Sequence, residues 1–261
     1  MEVTSLAWRT DLGLLHLGGS TVTDRGDHLE VRTPHNPTFW WGNFLLLDHA
    51  PTDAEAPAWV ARHREVFSAE HVSLGVHAVT GTSADLAPLA SLGLEVDLSS
   101  VMTATRVHEP PRPNREATYR PLLTDDDWIQ QVELSVSTWD GVVDAGHRLF
   151  EGRRAATARQ LVHDGRGEWF GAFEGERLQS SLGLVRAGDG LARFQTVGTR
   201  PEARRKGLAG TLVHHASAWG LAHLGAQTLV MVADPEYLAI RVYRSVGFQE
   251  SEIQLSAALH R

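Results

Sequence analysis

The chain of 261 residues contains no cysteine, which excludes a disulfide framework and thiolate metal sites. It also has no apolar run long enough to cross a membrane, and its first residues, Met-Glu-Val-Thr, are unlike a secretory signal peptide. Low-complexity stretches are missing as well. These absences predict a soluble, cytoplasmic protein without a membrane partner, and the length allows two domains of ordinary size.

Positive charge is scarce in the first part of the chain. Residues 1–108 contain six arginines, no lysine and thirteen acidic residues, a net charge of −7, whereas residues 109–261 have eighteen basic and nineteen acidic residues, a net charge of −1. A nucleic-acid-binding protein normally carries a basic surface, so we predict no nucleic-acid partner. The excess of acidic residues is compatible with a cationic substrate. A surface that keeps the protein soluble is its more common explanation.

Several widespread catalytic motifs are also missing. Neither a G-x-x-x-x-G-K-[ST] phosphate loop nor a G-x-G-x-x-G dinucleotide fingerprint occurs. The fourteen histidines form no H-E-x-x-H or H-x-H pattern, and there is no G-x-S-x-G motif. The sequence therefore predicts no metal site and does not support a P-loop, a Rossmann or an α/β-hydrolase site.

The most informative stretch that is present runs from Phe194 to Val213. Alternating residues through Thr199 predict a strand, which Arg200-Pro201 ends because proline offers no N–H to a ladder. A basic loop with small residues follows and contains Lys206, the single lysine of the chain. Periodic apolar residues from Leu208 to Leu224 then predict a helix. The free N–H groups and positive dipole at that helix start predict a cradle for a pyrophosphate.

The pattern continues in a fixed order after this helix. The apolar run Gln227–Ala233 predicts a buried strand, and residues 237–246 predict a helix that ends at Gly247. Phe248 leads into a final strand, Glu250–Ala257.

The segment before the loop predicts the remaining elements of the same domain. Thr124 to Asp127 form an N-cap box before a helix at Trp128–Val136, and a second helix is predicted over Asp144–His163. The predicted strands, which are separated by turn residues, are Tyr119–Leu122, Glu168–Glu174, Leu178–Arg186 and Leu191–Thr199.

Two short motifs lie on this framework, R-x-x-G-x-A at Arg204–Ala209 and Y-x-x-x-G-F at Tyr243–Phe248. With the order of the elements, they resemble the Gcn5-related N-acetyltransferase (GNAT) family over about residues 116–261. The resemblance implies a mixed α/β (α+β) fold with a central mixed sheet flanked by helices. It also implies an acetyl-CoA-dependent enzyme that moves an acetyl or other short acyl group to a primary amine of an unidentified acceptor. The alternative is a non-catalytic acyl-CoA-binding sensor.

The resemblance also assigns roles to individual residues. In this family the strand before the loop diverges from its neighbour, so the backbone of Val197 and Thr199 is implied to bind the pantetheine arm. Tyr243 matches the tyrosine whose hydroxyl protonates the leaving thiolate. The residues implied to hold the pyrophosphate are Arg204, Arg205, Lys206, Gly207, Leu208, Ala209 and Gly210.

The sequence departs from the family pattern at two points. Glu236 stands where the family often has asparagine, which puts a cofactor contact there in doubt. The strand before the loop has no carboxylate that could act as the general base. A water chain, the free-amine equilibrium of the substrate, or a side chain from the helical region remain open. The candidate side chains are Glu133, Asp140, Asp144 and His147.

The first part of the chain resembles a degenerate copy of the second. An offset of 154 residues places Leu89 on Tyr243 and the acidic segment Ala50–Ala56 on the loop Arg204–Gly210. Asp53 and Glu55 would repel a pyrophosphate and suit the helix dipole instead. We therefore predict a tandem protein that binds one coenzyme A, with a degenerate GNAT-like domain at 1–108, a proline-rich linker at 109–115 and a catalytic domain at 116–261.

An aromatic-dense segment, Asn36–Asn43, stands apart from these motifs. Core or inter-domain packing is its favoured interpretation, because aromatic residues serve mainly burial, and a ligand platform is the alternative.

Overall fold

A computed structural model describes residues 1–36, 39–68, 71–139, 141–236 and 239–259. The first 104 residues contain both helices and strands. In chain order they are α1 (Leu6–Leu17), β1 (Thr21–Asp24), β2 (His28–Arg32), β3 (Phe44–Leu47), α2 (Ala56–Phe67), β4 (Val72–Val76), α3 (Ala87–Ala90) and β5 (Glu95–Ala104).

The second part of the chain has longer strands and helices. In chain order they are β6 (Thr118–Pro121), α4 (Asp125–Ser137), α5 (Ala145–His163), β7 (Gly167–Glu174), β8 (Arg177–Arg186), β9 (Leu191–Thr199), α6 (Leu208–His223), β10 (Thr228–Ala233), α7 (Ala239–Arg244) and β11 (Gln249–Leu259). Within the described ranges, none of the helices combines the length and apolar character needed to cross a membrane.

The chain divides into two compact units. The first comprises residues 1–102, 232–237 and 250–261, and the second comprises residues 103–231 and 238–249. The domain limits predicted from sequence, 1–108 and 116–261, remain a prediction. The compact units cross these limits, because β11 pairs with β4 in the sheet of the first unit.

The first unit is built on a mixed sheet with the strand order β1-β2-β3-β4-β11-β5. Strand β2 pairs antiparallel with both β1 and β3. Strands β3 and β4 are parallel, and β11 runs antiparallel to β4. Alternate residues of β3 face opposite sides. Leu46 packs with Trp8 of α1, whereas Leu45 packs with Val60 of α2 and Leu89 of α3. Helices therefore cover both faces of this sheet.

The second unit has a mixed sheet with the order β6-β7-β8-β9-β10. Its first four strands form an antiparallel meander, and β10 joins β9 in parallel. Trp169 and Phe170 are neighbours on β7 and so face opposite sides. Trp169 contacts Trp128 of α4, and Phe170 contacts Trp219 of α6. Helices α4 and α6 therefore lie on opposite faces.

The elements expected in the second part of the chain are confirmed with shifts of one or two residues at most ends. The predicted N-cap box is present, because the Thr124 hydroxyl accepts from the Asp127 N–H and the Asp127 carboxylate accepts from the Thr124 N–H. Asp144 caps α5 through its bond from the His147 N–H. The helix predicted over 237–246 is observed as Ala239–Arg244, and residues 237 and 238 lie outside the described residues.

The offset of 154 residues maps the elements of one half onto those of the other. Added to the bounds of α2, α3 and β5, it gives 210–221, 241–244 and 249–258, which fall within α6, α7 and β11. In both halves the strand before the long helix is parallel to the strand after it. These common features support the tandem interpretation.

The cap of α4 provides a test of stability. Asp127 is 3% exposed and accepts hydrogen bonds from both terminal nitrogens of Arg120 and from the Leu123 and Thr124 N–H groups. These donors, Arg120 foremost, hold the pKa of Asp127 well below its ordinary value. We expect Asp127→Asn to lower the free energy of unfolding at pH 7 by about 2 kcal/mol.

A carboxyl whose pKa is depressed by folding stabilises the native state above its ordinary pKa. That stabilisation is lost as the pH falls through the folded-state pKa. The difference between wild type and Asp127→Asn should therefore shrink as the pH falls below about 4, measured by urea unfolding. Asp125→Asn is the control, because Asp125 is exposed and its pair with Arg159 is a surface pair. Equal losses in the two variants would contradict the assignment.

Candidate functional site

The strands β9 and β10 are paired over only part of their length. Their parallel register joins Leu191–Arg193 to Thr228–Val230, after which β9 continues to Thr199 and β10 to Ala233. The backbone of β9 beyond Arg193 therefore does not pair with β10. A divergence of this kind leaves peptide groups available to an extended ligand.

The register of β9 shifts just beyond this point. Its pairing with β8 is irregular between Ser181 and Gly183, and Thr196 on β9 has a φ of 50°. A positive φ is uncommon for a β-branched residue, and bulges of this type redirect side chains, often beside functional sites. The bulge thus lies on the part of β9 that has left β10.

The backbone of Val197 and Thr199 faces away from β8. The Arg200 N–H donates to the Gln179 carbonyl across the β8 edge at 2.9 Å, and the Ser180 hydroxyl donates to the Gly198 carbonyl at 2.7 Å. Because the peptide groups of successive strand residues point in opposite directions, the N–H groups of Val197 and Thr199 point toward the side where β10 has diverged. This is the direction that the proposed pantetheine contacts require.

The loop Arg204–Gly210 places a helix start next to the end of β9. Gly207 is the N-cap of α6 with a φ of 79°, and Arg205 is also left-handed with a φ of 64°. Helix α6 has no side-chain cap and no acidic residue in its first turn. The N–H groups of Leu208, Ala209 and Gly210 make no hydrogen bond to any other described residue. Unsatisfied donors at a helix N-terminus bind anions.

A segment before β6 supports this loop from behind. The Asn114 side-chain amide donates to the Lys206 carbonyl at 3.0 Å, and the Asn114 N–H donates to the Thr211 hydroxyl at 2.9 Å. A Cβ on Gly207 would lie 2.5 Å from the Arg112 carbonyl oxygen, so this position has no room for a side chain. The loop conformation is therefore fixed by its contacts within the second unit.

The three cations of the loop have different surroundings. The Arg204 Nε donates to the Thr199 carbonyl at 3.3 Å, and the Lys206 ammonium pairs with Glu174 at 3.2 Å. Arg204, Arg205 and Lys206 are all exposed. Glu174 thus neutralises part of the Lys206 charge. The Arg204 guanidinium instead lies beside the end of β9, where it contacts a carbonyl group.

Tyr243 lies on α7 and is 5% exposed. Its ring contacts Phe248 at a centroid distance of 6.4 Å, and Phe248 contacts Phe194 of β9 at 5.7 Å. This row of rings connects α7 to the residue of β9 that follows the last pair with β10. The structure thus keeps the Tyr243 ring packed in the second unit near the strand divergence.

A cavity of about 440 Å³ opens over the bulge of β9. Thr196 forms part of its lining, together with Ser135, Thr138 and Trp139 at the end of α4. The remaining lining residues come from α5. The cavity size is within the range of small-molecule sites.

Helix α5 supplies the charged and aromatic groups of this cavity. Glu151, 6% exposed, pairs with Arg154 at 2.9 Å, and the other terminal nitrogen of Arg154 donates to the Thr196 hydroxyl at 3.0 Å. The His147 ring stacks on Trp139 at 4.9 Å, and its Nε2 is buried without a hydrogen-bond partner in the described part of the chain.

The structure separates the four side chains considered as bases. Of these, His147 lines the cavity. Glu133 is half exposed and pairs with Arg148 at 2.8 Å, and Asp144 serves as the cap of α5. Asp140 lies outside the described residues. In the described ranges, no group of three or more His, Asp or Glu side chains could hold a metal ion.

Sequence reasoning missed Glu151 and Arg154. Glu151 follows His147 by four residues on α5, so both face the same side of the helix. From that spacing the sequence could have predicted that Glu151 lies near His147. The cavity that both residues line also needs residues at the end of α4 and on β9, which the spacing does not reveal.

The corresponding region of the first unit is built differently. Glu55 accepts hydrogen bonds from the Thr52 N–H and hydroxyl, both at 2.9 Å, which lower the pKa of its carboxyl. The N–H groups of Glu55 and Ala56 bond the Thr52 carbonyl, and Pro57 has none to offer. The start of α2 thus has few free donors and carries a negative charge.

The aromatic segment of the first unit belongs largely to its core. Trp41 stacks with Trp8 at 6.2 Å and with Phe44 at 6.3 Å. Trp40 contacts Trp41 and is 38% exposed. The packing interpretation is confirmed for Trp41, and residues 37 and 38 lie outside the described residues.

Comparison with known proteins adds a sequence match and similarities of fold. Residues 135–248 match the sequence model of the acetyltransferase (GNAT) family. No protein of curated function matches the chain in sequence.

Solved structures share the fold over nearly the whole chain. A GCN5-related N-acetyltransferase from Kribbella flavida is 14% identical with a TM-score of 0.67, covering 98% of this chain and 96% of that one. A tandem GNAT protein from the clavulanic acid biosynthesis pathway is 14% identical with a TM-score of 0.58, covering 99% and 89%. A functionally unknown conserved protein from Staphylococcus epidermidis ATCC 12228 is 13% identical with a TM-score of 0.70, covering 90% and 92%. These similarities confirm the predicted fold class, a mixed sheet flanked by helices.

Proposed function

We propose that the protein transfers an acetyl group from acetyl-CoA to a primary amine, on the basis that residues 135–248 match the sequence model of the acetyltransferase (GNAT) family. One observation carries the proposal. The divergence of β9 from β10 lies beside the uncapped N-terminus of α6, so peptide donors for an extended arm and for an anion occur in one unit.

Coenzyme A matches both features chemically. Its pantetheine arm is an extended amide chain, which can pair with the backbone of Val197 and Thr199 as an added strand does. Its pyrophosphate carries the negative charge that the N–H groups of residues 208–210 and the Arg204 and Arg205 guanidiniums attract. Lys206 adds a weaker contribution, since Glu174 shares its charge.

The acyl transfer needs a base for the amine and an acid for the thiolate. In the proposed reaction the amine nitrogen attacks the thioester carbonyl carbon, the C–S bond breaks, and an amide and a thiol result. His147 Nε2 takes the proton from the amine, and the Tyr243 hydroxyl gives its proton to the sulfur. Solvent restores the tyrosine proton and removes the proton from His147.

A sensor that binds acyl-CoA without turnover is the competing proposal. The cavity over Thr196 favours the enzyme, because a sensor has no need of a second pocket next to the strand divergence. The two functions are separated by incubating the chain with acetyl-CoA and a panel of amines and measuring thiol release. Thiol release that depends on the amine supports the enzyme, whereas tight binding without release supports the sensor.

We expect the intact chain to bind one acetyl-CoA. The acidic, internally bonded start of α2 repels a pyrophosphate, while the start of α6 attracts one. Calorimetric titration should give a stoichiometry close to one, and charge reversal in the loop at Arg204 should weaken that binding. A second equivalent of ligand that survives in the loop variant would show that the first unit also binds coenzyme A.

A further inference from the structure

The cavity over the β9 bulge has a lining that restricts the chemistry of its ligand. Among the described residues of the lining, the charged ones are one carboxylate, Glu151, and one guanidinium, Arg154, and they pair with each other at 2.9 Å. The polar residues Ser135, Thr138 and Thr196 are neutral. Apart from the ionisable His147, the described lining residues therefore carry no net charge.

The two partners of the Glu151–Arg154 ion pair are buried to different extents. The Glu151 side chain is 7% exposed, whereas the Arg154 side chain is 45% exposed. Removing one partner of such a pair leaves the buried carboxylate uncompensated, which is costly. A ligand can enter between these groups at low cost only if it brings an opposite charge to each of them.

The other lining residues form an apolar wall. Trp139 and His147 stack at 4.9 Å with an interplanar angle of 22°, and Phe150 lies 6.5 Å from His147. Trp139 is 55% exposed and Phe150 is 41% exposed. Val142, three residues after Trp139 in the sequence, is 84% exposed. Exposed aromatic surface around a cavity marks a ligand site.

We propose that this cavity binds a small zwitterionic amino acid with an apolar or aromatic side chain. This proposal rests on the proposed function, since the amino acid would be the acceptor of the acetyl group. The ammonium group contacts Glu151, the carboxylate contacts Arg154, and the side chain lies against Trp139 and Phe150. The ammonium first gives one proton to solvent, and His147 Nε2, in the same lining, takes the proton that the attacking amine nitrogen loses as the amide forms.

Other amines fit the lining less well. A monoamine without a carboxylate would displace Arg154 from Glu151 and leave the guanidinium without a counter-charge. A polyamine needs several carboxylates, and Glu151 is the acid among the described lining residues. Arg154 also holds the Thr196 hydroxyl, so its carboxylate contact would place the ligand beside the bulge of β9.

The test compares acceptors that differ in one group. The intact protein is assayed for acetyl transfer to L-phenylalanine, L-leucine, phenethylamine and spermidine, with 3-phenylpropionate as a competitor. We expect kcat/KM for the two amino acids to exceed that for phenethylamine and spermidine by at least about tenfold. A preference for phenethylamine or spermidine would overturn the proposal.

Variants show whether the charge pair sets this preference. Arg154→Met should reduce the ratio of kcat/KM for phenylalanine over phenethylamine by about tenfold, and Arg154→Lys should reduce it less, because a single ammonium replaces the guanidinium fork. Arg148→Gln is the matched control, since Arg148 is an exposed arginine on the same helix and pairs with Glu133. An unchanged ratio in both Arg154 variants would contradict the proposal even if activity falls.

Two binding measurements keep this inference apart from the proposed function. If acetyl-CoA does not bind in calorimetry, the proposed function fails. If acetyl-CoA binds and no amine is acetylated, L-phenylalanine is titrated in the presence of coenzyme A. If L-phenylalanine binds and Arg154→Met weakens that binding, the cavity is an amino-acid site of a sensor. If L-phenylalanine does not bind, the proposed amino-acid site is overturned.

Discussion

We expect the Tyr243→Phe variant to lose about 100-fold in kcat while its affinity for acetyl-CoA stays unchanged. Phenylalanine keeps the ring that contacts Phe248, so α7 retains its packing. What disappears is the hydroxyl proton that the leaving thiolate needs. Without it the thiolate must leave unprotonated or take a proton from water, and the transition state rises in energy.

The measurement combines steady-state kinetics with calorimetric titration of acetyl-CoA. Tyr119→Phe is a suitable control, because Tyr119 is a partly buried tyrosine of the same unit whose ring lies near His215 of α6. It should retain its activity within a few fold. A loss of cofactor binding equal to the loss of activity, or full activity in Tyr243→Phe, would show that Tyr243 serves packing alone.

The second large effect concerns the loop before α6. We expect Arg204→Glu combined with Ala209→Asp to weaken acetyl-CoA binding by about 30-fold or more, which corresponds to about 2 kcal/mol. Both changes put a carboxylate next to the proposed pyrophosphate site. An aspartate in the first turn also suits the helix dipole, so the fold should not be destabilised.

Gly207 is a poor choice for this test. Gly207 has a φ of 79°, and a Cβ at this position would lie 2.5 Å from the Arg112 carbonyl oxygen. A substitution there would distort the loop, so a loss of binding could not be distinguished from a loss of structure. Arg166→Glu, at an exposed turn of the same unit, serves as the control for added negative charge. Unchanged affinity in the double variant, with a normal thermal unfolding curve, would rule out the loop as the pyrophosphate site.

The local structure around the loop could be predicted because its signals are local. The alternation through Thr199, the proline at 201 and the periodic residues from Leu208 each act within one or two turns of chain. The same holds for the box at Thr124 and Asp127, where the two residues satisfy each other's N–H groups. The offset of 154 residues likewise follows from comparing short patterns in two places.

The cavity could not be predicted in the same way. Glu151 and Arg154 are close on α5, but their relation to Thr196 depends on how that helix packs on the sheet. The bulge at Thr196 has no residue signal either, since threonine is an ordinary strand residue and its φ of 50° is imposed by the register with β8.

The sequence by itself determined the order of the elements, the basic loop at a helix start and the motif that contains Tyr243. These features depend on backbone propensities and on neighbours a few residues away. The tertiary structure alone decided that β11 pairs with β4 in the first unit, that Asn114 supports the loop, and that Glu151, Arg154 and Thr196 meet. These pairings join residues that are close in space but lie in different elements, and their energies depend on packing that no local pattern encodes.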